Sequence, residues 1–183
     1  GAGTAGLYAF AYTFVFRPIS LFSQASLQVV SQRIIESHHK GIAVYKPLKS
    51  LAIRLFALAV VPVALLWLWA PVLFSWLFGP DFEEAGRYLR YLCPYLLMVF
   101  VAGPLSFIPE LYFRQKKAMI IDAIYLILRF LALLAGMMLN SVETALILFS
   151  AVSTLVVGYN LFWYLSLARI RPASTDGANS QDS

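Results

Sequence analysis

Two arginines, Arg17 and Arg129, lie near the middle of long apolar stretches of this 183-residue chain. A guanidinium stays ionised and presents a planar fork of N–H donors that matches a phosphate or a carboxylate. Because an ionised side chain at the centre of a bilayer costs at least about 2.5 kcal/mol, it must face protein or water. We interpret both arginines as candidate binding residues for an anionic ligand in a hydrated cavity. The alternative is that each pairs with an acid on a neighbouring helix.

The first apolar stretch carries a polar stripe that includes Arg17, Gln24 and Gln28. At 100° per residue, the members of the stripe lie within an arc of about 80°. From the residues alone, hydrogen bonding between helices is the favoured explanation for Gln24 and Gln28. The full stripe consists of Thr13, Arg17, Ser20, Gln24, Gln28 and Ser31.

Arg129 shares one face of its predicted helix with Asp122. The two residues are separated by about 10 Å along the helix axis, so they do not form a direct pair. Asp122 is a candidate for coupling to an ion gradient or for a structural role. The face also carries Tyr125, Gly136 and Asn140.

No group of residues indicates catalysis or a metal site. His38 and His39 are adjacent and would not share a helix face, and no cluster of cysteines or acids completes a ligand set. Asp81, Glu83 and Glu84 lie in a short segment without a pocket that could shift a pKa, so we expect them to begin a helix. We therefore predict no catalytic residue, no metal and no cofactor.

The composition indicates a membrane protein. Hydrophobic residues make up 61% of the chain and charged residues 13%, with a mean hydropathy of +0.76. Soluble domains have about half apolar and a quarter charged residues, and disordered chains have low hydrophobicity. A single cysteine excludes a disulfide scaffold. The net charge of +5 is better explained by the orientation of membrane helices than by a nucleic-acid partner.

A helix needs roughly 20 mostly apolar residues to cross the bilayer, and five segments meet this requirement. They predict an all-α, polytopic membrane helix bundle with no separate soluble domain. Residues 169–183 are small and polar and are expected to form a disordered tail. The chain opens on glycine without a secretory signal, so we expect an N-terminally truncated protein. The predicted spans are about 3–32, 55–78, 91–113, 118–139 and 144–168.

Lysine and arginine alternate strongly between successive links. The links on one side and the C-terminal flank hold ten of them, whereas the links on the other side hold only Arg87 and Arg90. The positive-inside rule then places the first residues of the chain outside and the C-terminus in the cytoplasm. The ten are Arg33, Lys40, Lys46, Lys49, Arg54, Arg114, Lys116, Lys117, Arg169 and Arg171.

Short motifs in a consistent order resemble the C-terminal half of the bacterial and archaeal polysaccharide flippases of the multidrug/oligosaccharidyl-lipid/polysaccharide exporter superfamily. The resemblance extends over nearly all of residues 1–170. The motifs are Gly6, Tyr8 and Ala11, then Arg17-Pro18, Gln28-Val29, Leu77-Phe78-Gly79 with Phe82 and Ala85, Pro94, Pro104-Leu105-Ser106, and Arg114-Gln115-Lys116.

The resemblance implies a fold and a function. Such flippases have twelve to fourteen helices in two lobes around a cationic cavity, and they move lipid-pyrophosphate-linked oligosaccharide across the cytoplasmic membrane. This chain is similar to helices eight to twelve, so its implied partners are membrane lipid and a missing N-terminal lobe of the same protein. Arg17 and Arg129 are then expected to attract the anion, and Gln24 and Gln28 to hydrogen-bond sugar or phosphate.

Three other functions remain as alternatives. A multidrug exporter of the same superfamily would favour acids over arginines in its cavity when it carries cationic drugs. A membrane-embedded polysaccharide polymerase or ligase should carry a sizeable outer loop with catalytic groups, and both predicted outer loops are short. A purely structural subunit would tolerate the loss of both central arginines.

Overall fold

A computed structural model describes residues 30–38 and 40–170, together with Gly6, Thr13, Arg17 and Leu21. This part of the chain is helical and contains no strand, so the predicted all-α class is confirmed. Residues 30–38 are helical, and two single 3-10 turns, Pro80–Phe82 and Gly103–Leu105, interrupt the path. The bounded helices are α1 (Tyr45–Phe78), α2 (Glu83–Ala102), α3 (Ile108–Leu111), α4 (Gln115–Met138) and α5 (Val142–Leu167).

Four helical segments of the described part are long and apolar enough to cross a membrane: α1, the segment from Pro80 to Leu111, α4 and α5. These segments indicate a multi-pass membrane protein. The first predicted span, about 3–32, lies largely outside the described residues, as does most of the predicted tail.

Helix α1 is longer than the predicted span that it contains. Its 34 residues reach about 51 Å at 1.5 Å per residue, against a hydrocarbon core of about 30 Å. The helix begins at Tyr45 because its first three turns are amphipathic. Their charged side chains lie on the exposed side, so the charges do not interrupt the helix. Leu48, Ala52 and Leu55 are buried on one side, and Lys46, Lys49 and Arg54 are exposed on the others.

The third predicted span, about 91–113, is not one helix. Helix α2 begins earlier, at Glu83, and the acids Glu83 and Glu84 occupy its first turn as predicted. The helix breaks at the 3-10 turn Gly103–Leu105 and resumes as α3. Pro104 lies in this break, and a proline has no N–H to continue the hydrogen-bond ladder.

The helices pack in the spatial order α1, α2, α5, α4. Among the described helices, α2 is central, because it packs against both α1 and α5. Half of the most apolar part of the segment Pro80–Leu111 is buried, against 6% of that of α4. At one end, which we call the basic end, the start of α1, the α2–α3 region and the end of α5 enclose the largest apolar core. Its fully buried members include Leu48, Leu105 and Ile108. Lysines and arginines surround this core.

Two glycines permit the closest helix contacts. A Cβ at Gly86 of α2 would overlap the backbone of Ala70 and Pro71 in α1, and a Cβ at Gly136 of α4 would overlap Ala145 of α5. Small residues at such crossings let backbones approach closely, which is a main source of helix association in membranes. These contacts fix the positions of α1 and α4 on opposite sides of the α2–α5 pair.

Candidate functional site

The side chain of Arg129 lies half-buried among aromatic residues from three helices. Its guanidinium carbon is 4.4 Å from the ring centroid of Phe149 on α5, 4.6 Å from that of Tyr125 on α4, and 5.3 Å from that of Tyr95 on α2. One terminal nitrogen donates a hydrogen bond of 3.1 Å to the Tyr95 hydroxyl. The faces of these rings carry negative electrostatic potential and attract a cation. We call Arg129, Tyr95, Tyr125 and Phe149 the arginine site.

Helical spacing and one inter-helix contact build the arginine site. Tyr125 and Arg129 are four residues apart on α4, so they share a face. The buried residues Ala132 and Gly136 continue that face toward the contact with α5. Across the interface, Tyr95 and Phe149 pack edge to face, with centroids 6.1 Å apart and planes at 82°. This pair joins α2 to α5 directly beside the guanidinium.

Three polar atoms at the site are buried without a hydrogen-bond partner: Arg129 Nε, the Tyr125 hydroxyl and Ser153 Oγ. Ser153 is on α5 and is fully buried. A buried polar group without a partner costs about 1 to 3 kcal/mol. The arginine site is therefore polar and incompletely satisfied.

Within the described part of the chain, Arg129 has no acidic partner. The one ion pair between two described residues joins Lys40 Nζ to Glu36 Oε1 at 2.6 Å, and both side chains are exposed. Lys40 lowers the pKa of the Glu36 carboxyl by a hydrogen bond and by its charge. Aromatic rings and a hydroxyl solvate the guanidinium, but they do not neutralise its charge.

Of the other predicted site residues, Asp122 and Arg17 are among the described residues. Asp122 is exposed on α4 and forms no ion pair with the described residues. Arg17 is helical and exposed. Gln24 and Gln28 lie outside the described residues. Within the described residues, no group of histidines, cysteines and acids could hold a metal ion.

Sequence reasoning missed Tyr95 and Phe149 as neighbours of Arg129. Both are aromatic residues inside apolar spans, and this alone does not distinguish them from core residues. It also placed Arg90 in a loop, whereas Arg90 lies within α2. The Arg90 Nε donates to the carbonyl of Trp67 at 2.7 Å and Nη2 donates to that of Leu68 at 3.0 Å. The sequence did contain a signal for this contact. Pro71, four residues after Trp67, has no N–H to donate to the Trp67 carbonyl, so that carbonyl needs a donor from elsewhere.

Comparison of the chain with protein-family models, with curated proteins and with solved structures gives no match. Its function is therefore inferred from the residues and their geometry.

Proposed function

We propose that this chain is part of a membrane transporter that flips lipid-pyrophosphate-linked oligosaccharide across the cytoplasmic membrane during cell-surface polysaccharide biosynthesis. The observation that carries this proposal is the charge of Arg129. It lies about 18 Å along α4 from Lys117 at the basic end, and no described acid pairs with it. A cargo with a phosphate would supply the missing negative charge.

The chemistry of the arginine site favours an anionic cargo over a cationic one. Aromatic faces lower the cost of holding a guanidinium in a medium of low dielectric constant, but they leave its charge at +1. A guanidinium binds phosphate oxygens in a bidentate manner. A cationic drug would be repelled by this charge, which argues against a multidrug exporter.

The links between helices argue against a membrane-embedded polymerase or ligase. At the end opposite to the basic end, α1 and α2 are joined by residues 79–82 and α4 and α5 by residues 139–141. Links of this length cannot enclose a catalytic pocket. Transport requires no covalent step, because a phosphate that moves along the bundle needs only a favourable charge and water.

The orientation is part of the proposal. The positive-inside rule places the basic end in the cytoplasm. The C-terminus would then be cytoplasmic, and the short links 79–82 and 139–141 would face outward. Membrane lipid and further helices of the same protein are the expected partners.

The test substitutes Arg129 in the protein as it exists in its cell and measures two quantities. These are the amount of polysaccharide at the surface and the amount of lipid-linked oligosaccharide that accumulates inside. We expect Arg129→Gln to reduce export roughly 10- to 100-fold, since a hydrogen-bonded charge pair contributes about 1.5 to 3 kcal/mol. Arg129→Lys keeps the charge without the planar fork and should retain part of the export.

Arg87→Gln is the matched control. Arg87 is an exposed arginine of α2, and the same change of charge there should leave export unchanged. Membrane levels of all variants are compared so that loss of protein is not read as loss of transport. Normal export by Arg129→Gln at a normal protein level would contradict the proposal.

A further inference from the structure

Phe113 lies between α3 and α4 at the basic end, and its side chain is 89% exposed. This is the highest exposed fraction among the large apolar residues that the structure describes. The next four residues, Arg114, Gln115, Lys116 and Lys117, are exposed as well. This short segment therefore presents an aromatic ring beside several cations.

The backbone of Phe113 has a conformation that suits glycine. Its φ is +53°, and in this left-handed region the Cβ of a bulky residue is crowded. The N–H of Phe113 donates to the Glu110 carbonyl at 3.1 Å, and the N–H of Arg114 donates to the Pro109 carbonyl at 2.7 Å. At a helix end with this hydrogen-bond pattern, the left-handed residue is usually glycine or asparagine. Phenylalanine is thus unfavourable for the turn, and its exposed ring does not contribute to the described core.

The same turn separates Arg114 from Glu110. In a continuous helix, residues four positions apart share a face and can form an ion pair. Here the left-handed residue ends α3 between them, and the two side chains form no ion pair. Lys116 also has no acidic partner among the described residues, and Lys117 Nζ lies 4.9 Å from the ring centroid of Trp163. The described structure thus leaves the charges of Arg114 and Lys116 uncompensated.

The segment lies at the depth of lipid headgroups. Helix α4 begins at Gln115 and has 24 residues, so it is about 36 Å long. The hydrocarbon core is about 30 Å thick, and the bilayer with its headgroups about 40 to 45 Å. A helix of this length that crosses the bilayer has both ends in the headgroup regions. Phe113 precedes α4 by two positions, so it lies at the membrane surface, at the level of the phosphates.

Lipid is the occupant that this surface fits best. Bases next to a membrane helix attract anionic headgroups, and an apolar ring between such bases can bury itself at the boundary between headgroups and acyl chains. Only 6% of the most apolar part of α4 is buried in the described structure, so the helix that follows Phe113 is open to lipid. Water alone would favour neither the exposed ring nor its strained backbone.

We propose that Phe113, Arg114 and Lys116 form a binding site for an anionic phospholipid of the leaflet at the basic end. The two cations bind the headgroup phosphate, and the ring packs against the first carbons of an acyl chain. The site requires only that α4 crosses the membrane. It does not depend on what the protein transports.

The test places a fluorescent probe at residue 113. The full chain carries Phe113→Cys in a Cys93→Ala background, and the new cysteine is labelled with nitrobenzoxadiazole, which nitroxides quench on contact. The protein is reconstituted in vesicles of phosphatidylcholine and phosphatidylglycerol, with a nitroxide near the headgroup end of the acyl chains of one lipid or the other. We expect a roughly fivefold preference for phosphatidylglycerol in the quenching, the ratio that corresponds to about 1 kcal/mol.

Two double variants show whether the preference is local. Arg114→Gln with Lys116→Gln removes the bases beside the probe and should lower the preference to about one. Lys46→Gln with Lys49→Gln removes the same charge at the same end, but from α1, and should leave most of the preference. A probe at Lys40→Cys, in the exposed link before α1, should be quenched by neither lipid.

Three results would overturn the proposal. Equal quenching by both lipids in the chain with all its bases would mean that residue 113 contacts only unselected lipid. An equal loss of preference in the two double variants, at native helicity and elution volume, would mean that the total charge of the basic end acts and not this segment. Absence of quenching by either lipid would mean that protein or water surrounds residue 113.

Discussion

Arg90 of α2 donates a hydrogen bond of 2.7 Å from Nε to the carbonyl oxygen of Trp67 in α1. In an uninterrupted helix the donor to this carbonyl is the N–H of the residue four positions later. That residue is Pro71, which has no N–H. Helix α2 therefore supplies the donor that the sequence of α1 lacks, and Gly86 packs against the same turn.

This relationship predicts thermodynamic coupling between Arg90 and Pro71. Arg90→Met should lower the free energy of unfolding by about 1.5 to 3 kcal/mol, because it removes the charged donor to the Trp67 and Leu68 carbonyls. In a Pro71→Ala background the helix bonds Trp67 itself, so Arg90→Met should cost less. We expect a coupling of roughly 1 kcal/mol, within the usual range for residues of one hydrogen-bond network.

The measurement is equilibrium unfolding of the four proteins of this cycle in mixed micelles. Strictly additive effects would show that the Arg90 bond to the Trp67 carbonyl does not compensate for the N–H that Pro71 lacks.

The close helix crossing at Gly86 predicts that a larger residue there destabilises the protein, and Gly158 provides the control. Gly86→Ala places a methyl group against the backbone of Ala70 and Pro71, which cannot yield as a flexible side chain can. We expect a loss of about 1 to 3 kcal/mol in the free energy of unfolding. At Gly158 of α5, no atom of the described residues lies within 4 Å of the place that a methyl carbon would take, so Gly158→Ala should be neutral or stabilise by up to about 1 kcal/mol. Equal effects at the two sites would contradict close packing at Gly86.

Hydropathy predicted the helices of the described part but not their ends. The apolar runs that became α4 and α5 were found to within a few residues, because charge and polarity change sharply at both ends. The start of α1 was missed because helix formation continues past the membrane edge wherever one face is buried, as Leu48 is. Hydropathy measures lipid compatibility, whereas helix ends also depend on packing against other segments.

The candidate site was predictable only in part, for a related reason. Arg129 was identified because a charge inside an apolar run has a high energetic cost wherever it points. Its aromatic partners depend on which helices are neighbours, and the periodicity of one sequence does not give that order. Tyr95 lies on a different helix from Arg129. The two side chains meet because α2 and α4 both pack against α5.

The aromatic contacts of Arg129 predict a graded loss of stability at Tyr95. Tyr95→Phe keeps the ring and removes the hydroxyl that accepts a bond from Arg129, so we expect a loss of about 1 kcal/mol. Tyr95→Leu also removes the ring and should cost about 1 to 2 kcal/mol more, since a desolvated cation–π contact contributes about 2 kcal/mol. The measure is again the free energy of unfolding in micelles.

Arg129→Met provides the control for this series. Without the guanidinium, the difference between Phe and Leu at residue 95 should shrink toward the value for simple ring packing against Phe149. An unchanged difference would mean that the rings at this site do not stabilise the charge.

The proposed orientation predicts that cysteines at opposite ends of the bundle differ in their reaction with an impermeant thiol reagent. Lys46 at the basic end and Glu83 at the other end are both exposed, so a cysteine at either position is sterically free to react. Cys93, the single cysteine of the chain, is buried and is replaced by alanine as the background. With the basic end in the cytoplasm, only Glu83→Cys should be labelled in intact cells, and both variants after permeabilisation. Labelling of Lys46→Cys alone would invert the topology, and labelling of both in intact cells would mean that α1 does not cross the membrane.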